Sequence, residues 1–147
     1  MAVFSADAAQ TIPANGVAIF TTVVEPSNDD SVKFRPGTGA IVLSGFVPCR
    51  CRRKGPEYSL DFGANIAVAT GGTAEAISVA ISLDGAAIPA SEMIVTPAAV
   101  EEYFNVSRDL NFNVFPGCCE TITVQNLSSQ PILMQNATIK VNRVVGR

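Results

Sequence analysis

Ile77-Ser78-Val79-Ala80-Ile81-Ser82-Leu83, followed at once by Asp84-Gly85, is the stretch that decides how this chain folds. Ile77, Val79, Ile81 and Leu83 are large and apolar, whereas the residues between them, Ser78, Ala80 and Ser82, are small. A period of two puts one set on each side of an extended backbone, so the segment makes a strand with one greasy face. A helix would spread the same residues around its circumference. Asp-Gly then reverses the chain, because glycine enters positive φ at little cost.

The same pattern recurs in both directions. Toward the C-terminus, Val106 to Phe115 sets Leu110, Phe112 and Val114 against Asn111 and Asn113, and Thr121 to Gln125, Pro131 to Met134 and Ala137 to Asn142 follow. Toward the N-terminus, Ile66 to Val68, Tyr58 to Phe62, Ala40 to Phe46 and Val32 to Arg35 read as strands, with Pro36-Gly37-Thr38-Gly39 as a hairpin turn. Val17 to Val24 reads as one further strand after the turn at Pro13 to Gly16. Thr96 to Glu102 fits either a single helical turn, with Thr96 as cap and Pro97 first, or a loop at a strand edge. About eight to ten short strands at this spacing, with no helical period and no linker, predict an all-β antiparallel sandwich of jelly-roll topology. The expected organisation is one domain over residues 1–147, with residues 1–12 as an extended N-terminal arm.

Composition narrows the function. Apolar residues make up 48% and charged residues only 16%, a greasy balance that predicts a homo-oligomer whose interface absorbs part of the excess. The chain contains no histidine, which removes the usual general base, the commonest zinc ligand and the ordinary pH switch together. No nucleophile elbow, phosphate loop or dinucleotide fingerprint is present, so no enzyme and no cofactor is expected. A net charge of −3 with mostly scattered cations argues against nucleic acid as a partner. No apolar run approaches the roughly 18 residues that span a bilayer, so no membrane insertion is expected. Met1 to Asp7 lacks the charged and apolar parts of a secretion leader. A protein made in the cytoplasm that reaches a virion, cell or spore surface by lysis or particle assembly is the expectation.

Four cysteines, Cys49 and Cys51 as C-R-C and Cys118 and Cys119 side by side, form the most distinctive set. The spacing is wrong for a zinc knuckle, which presents two to four residues between its thiolates. Bridges joining the first pair to the second across facing loops and free, partly buried thiols both fit the sequence. Arg50, Arg52, Arg53 and Lys54 make the only basic cluster, readable as an anion-binding loop or as a solvated turn balanced by Glu57 and Asp61. The adjacent acids Glu101-Glu102 and Asp29-Asp30 point to opposite faces if extended, which suits solvated surface and not paired acid–base work. Asp7, Asp29, Asp30 and Asp84 lack the alternating spacing of a calcium loop. Sequons begin at Asn105, Asn126 and Asn136 and are read as chance.

Three stretches carry a family likeness. ISVAISLDGAAIP (Ile77 to Pro89), ETITVQNLSSQPILMQNATIKVNRV (Glu120 to Val144) and the pair TIPANGVAIFTTVV and FRPGTGAIVLSG (Thr11 to Gly45) resemble tumour-necrosis-factor-like and complement-type jelly rolls. Such domains occur in phage head-fibre and decoration proteins and in bacterial collagen-like spore-surface proteins. The resemblance implies a ten-strand jelly roll that assembles as a trimer about a threefold axis. It implies a structural role as a phage head-fibre, decoration or fibre-tip protein, with capsid or other virion proteins or a host surface glycan as partners. The alternatives are a bacterial surface or spore-coat adhesive module and a carbohydrate-binding domain, for which Tyr58 and Tyr103 are the aromatic candidates.

Overall fold

A computed structural model of the chain describes residues 1–27, 31–35, 37–45 and 55–144, with residues 117 and 118 described in their backbone only. In chain order its strands are β1 (Ala2–Ala6), β2 (Gln10–Ile12), β3 (Thr22–Glu25), β4 (Val32–Phe34), β5 (Ile41–Gly45) and β6 (Glu57–Val68). They continue as β7 (Ile77–Leu83), β8 (Ala86–Ala87), β9 (Met93–Val95), β10 (Phe104–Asn113), β11 (Gly117–Asn126) and β12 (Ile132–Arg143). Two six-stranded sheets face each other. The first runs β10-β6-β12-β1-β3, with β2 on β12 beside β1, and the second runs β4-β5-β11-β7-β8, with β9 also on β7. Among the described residues, every pairing between strands is antiparallel. Neighbours such as β5 and β11, or β1 and β12, come from opposite halves of the chain, because it passes repeatedly from one sheet to the other. This is the expected jelly-roll sandwich.

Alternation explains the layers. In β6, Tyr58, Leu60, Phe62, Ala64 and Ile66 are buried, while Glu57, Ser59, Asp61, Gly63 and Asn65 lie on the opposite, outer face. The inner residues of β6 meet Phe4, Ile139 and Val141 from their own sheet and Ile41, Leu43, Ile81, Ile122 and Val124 from the other, in one continuous core. Burying an aliphatic or aromatic side chain contributes on the order of 1.5–3 kcal/mol relative to exposure.

Several boundaries differ from the sequence reading. Residues 1–12 are not an arm: β1 pairs with both β12 and β3, and Ala2, Phe4, Ala6 and Ile12 are core residues. Ala2, Phe4 and Ala6 at alternate positions of β1 turn one apolar face to the core and let the segment fill a place inside the sheet. Val17 to Val24 is not one strand either. Only Thr22–Glu25 is, while Val17 and Phe20 form single bridges to Gln125 and Thr38 as the chain crosses from the second sheet to the first. The segments beginning at Tyr58 and Ile66 are one strand, as are those at Ile132 and Ala137. β12 shifts its register against β6 by one residue at a bulge between Gln135 and Thr138, where Asn136 takes φ 54°. Asparagine tolerates that left-handed backbone better than most residues. Thr96 to Glu102 is a turn and not a helix: the Glu102 carboxylate accepts the amides of Ala98 and Ala99, both at 3.1 Å. A short 3-10 turn sits instead at Pro89–Ser91.

Candidate functional site

The sequence-derived candidates do not converge on a reaction centre. Cys49, Cys51, Arg50, Arg52, Arg53 and Lys54 lie outside the described residues, as do Asp29, Asp30 and the Cys118 side chain. Cys119, exposed on β11, is disulfide-bonded. Among the described residues no three His, Cys, Asp or Glu side chains gather as a metal site. Asp84, one of the calcium candidates, is a turn residue: its carboxylate accepts the Thr121 amide at 2.8 Å. Glu101 and Glu102 are employed locally, Glu101 by the Thr70 hydroxyl and Glu102 by the two amides described above. Of the sequons, Asn126 is fully buried: its side-chain amide donates to the carbonyls of Ile12, Pro13 and Gln130, and its oxygen accepts the Ser128 amide at 2.9 Å. Of the aromatic candidates, Tyr58 is core, its hydroxyl donating to the Ser44 carbonyl at 2.7 Å, so it offers no face to a sugar ring. Tyr103 remains part-exposed.

Three surfaces emerge that the sequence did not single out. The outer face of the first sheet is polar, carrying Asn105, Ser107, Asp109, Asn111 and Asn113 of β10 opposite Asn65, Gly63, Asp61, Ser59 and Glu57 of β6. One row across it sets Asp109 directly beside Asp61 and Asp61 beside Lys140, whose ammonium lies 3.9 Å from the Asp61 carboxylate. Desolvation, then the hydrogen bond to Asp109 and its charge, hold the Asp61 carboxyl above its ordinary range, and Lys140 opposes them. Alternation in two separate strands is compatible with many registers, so the sequence could not show these acids to be opposite one another.

The second surface is apolar and divided between the two edges of that sheet. At the β3 edge Val23 and Val24 are exposed, with Val17 and Ile19 exposed on the approach to the strand. At the opposite edge Tyr103 and Phe104 open β10, and Phe115, 79% exposed, follows its end.

The third is a groove of about 370 Å³ on the second sheet, lined by Lys33, Phe34, Arg35, Thr38, Ala40 and Val42. Its shape follows from the β4–β5 pairing, which places Lys33 opposite Val42 and Phe34 opposite Ile41. The turn beyond β4 is pinned from outside. Gly37 donates to the Phe20 carbonyl at 2.9 Å, Phe20 donates to Thr38 at 3.1 Å, and a Cβ on Gly39 would sit 2.4 Å from the Ala18 carbonyl oxygen.

No protein-family model matches the sequence, and no curated protein matches it. Among solved structures, the globular domain of zebrafish complement 1qA aligns over 99% of this chain and 97% of its own, at 11% identity and a TM-score of 0.59. The C-terminal domain of the sugar-binding protein EclA aligns over 80% of this chain and 87% of its own, with 16% identity and a TM-score of 0.36. A family 35 carbohydrate-binding module from an environmental isolate aligns over the full length of both chains, with 8% identity and a TM-score of 0.37. The complement domain aligns with this chain's sandwich from end to end, and the fold is an antiparallel jelly-roll sandwich like that domain's.

Proposed function

We propose that the chain is a non-enzymatic structural protein whose copies associate edge to edge into a closed homotrimer that decorates a phage virion. The observation that carries this reading is the pair of apolar edges on an otherwise polar sheet. Edge strands are normally guarded by charge, proline or brevity, because their unpaired backbone invites pairing with other chains. β3 presents Val23 and Val24 with a charge only at its last residue, Glu25. The β10 edge presents Phe104 at its start with Tyr103 just before it, and carries its charges, Arg108 and Asp109, only in the middle of the strand. Two different patches on opposite sides of one subunit suit a head-to-tail contact, and such contacts close into rings when the rotation permits. The resemblance of the three sequence stretches to trimeric virion and spore-surface domains supports three as the number and a particle as the setting. The absence of histidine and the local employment of Glu101, Glu102 and Asp84 support a role without catalysis.

Sedimentation velocity on variants tests this reading. Val24→Asp and Phe104→Asp each place a charge in a different half of the contact, so each is expected to yield single chains at micromolar concentration. Ile94→Asp, at an equally exposed apolar residue on the other sheet, is expected to leave the assembly intact. Assembly unaffected by both edge variants, or lost equally with Ile94→Asp, contradicts it. Mass spectrometry of purified phage particles tests the setting: the chain is expected among the virion proteins, and its absence contradicts that part.

A further inference from the structure

We propose that the groove on the β4–β5 hairpin is a binding site for an acidic sugar residue, a polyhydroxylated ring bearing a carboxylate. Lys33 and Arg35 stand two residues apart on the outward side of β4 and its continuation, a separation of about 7 Å along a strand. Neither has an ion-pair partner among the described residues, in a chain whose net charge is −3. One lysine on an edge strand is explained by the need to discourage strand pairing. A second cation, a hydroxyl and an apolar floor exceed that need. Ala40 and Val42 supply the floor, and Phe34, its ring centroid 4.3 Å from that of Phe4, is fixed in place beside it. Thr38 donates its hydroxyl proton to the Arg35 carbonyl at 2.7 Å, which leaves the oxygen as an acceptor for a ligand hydroxyl.

Each element answers one part of the ligand. The guanidinium and ammonium take the carboxylate, the first through two parallel hydrogen bonds. The Thr38 oxygen takes a hydroxyl, and the floor takes the C–H face of the ring. The volume of about 370 Å³ lies near the small end of ligand sites, enough for one or two sugar units. A long polyanion such as nucleic acid is disfavoured, because the groove holds two cations and no run of aromatic residues for base stacking. The turn contacts at Gly37, Thr38 and Gly39 hold the groove ready before a ligand arrives, so little ordering cost falls on binding.

The test is a titration followed by NMR with a glucuronic acid oligosaccharide, a glucose oligosaccharide of equal length and sodium sulfate. The acidic sugar is expected to shift the amides of Thr38, Ala40 and Val42 in a saturable way. The neutral sugar and sulfate are expected to bind at least about tenfold more weakly. Lys33→Gln and Arg35→Gln, both exposed and checked for fold by circular dichroism, are each expected to weaken the acidic sugar by about tenfold. Equal binding of the neutral sugar, equal binding of sulfate, shifts elsewhere than the groove, or affinity unchanged in both variants overturns the proposal.

Discussion

Asn126 shows how a single buried polar residue organises this molecule. Its side chain joins the end of β11 to the carbonyls of Ile12 and Pro13 after β2 and to Gln130 before β12. Replacing it by alanine removes the partner of the buried Ile12 carbonyl, of the Ser128 amide and of the part-buried Gln130 carbonyl, so Asn126→Ala is expected to lower unfolding stability by about 2–3 kcal/mol in urea titration. The Asp61–Asp109 pair acts in the opposite sense. Desolvation and its partner Asp109 raise the Asp61 carboxyl, so the folded state holds that proton more tightly than the unfolded chain does. The stabilisation is complete below the unfolded value, near pH 4, and is lost as pH rises through the higher folded value. Asp109→Asn removes the like charge opposite Asp61 and donates to its carboxylate. It is expected to raise stability at pH 7 by about 0.5 kcal/mol and to leave stability unchanged near pH 3, as read from denaturant midpoints.

At the scale of the element, alternation was legible wherever one face is buried and the other is wet. Glu57–Val68 carries that signal in its side chains, and Ile77–Leu83 shows the alternation of large and small residues although Ala80 and Ser82 on its second face are buried too; both are strands. What the sequence hid is whatever a strand owes to distant partners. β3 is exposed at all four residues, and its paired position beside β1 depends on Phe4 and Ser5 far back in the chain. The bulge at Asn136 was hidden for the same reason, since it appears only against Asn65 and Gly63 of β6. Residues 1–12 read as an arm because β1 and β2 are short and their partner, β12, lies at the other end of the sequence. Of the two readings of Thr96 to Glu102, the strand-edge loop is the one found: the segment follows β9 as a turn, with Glu102 accepting the amides of Ala98 and Ala99. The candidate surfaces were invisible for a related reason: Lys33 with Val42, and Asp61 with Asp109, become neighbours only through register.

Over the whole molecule, the two sheets share one continuous core yet leave Val17, Ile19, Val23, Val24, Ile94, Phe104 and Phe115 in contact with solvent. All but Ile94 of these lie at or near the edges of the first sheet, and exposed apolar residues gathered in one region mark a candidate contact surface. The polar outer face of the first sheet lies between the two apolar edges, the arrangement that the proposed ring requires. Light scattering on the unmodified protein at micromolar concentration measures this most directly. The expected mass is three times the 15.4 kDa of one chain, unchanged on tenfold dilution. A mass of one chain across that range contradicts the account.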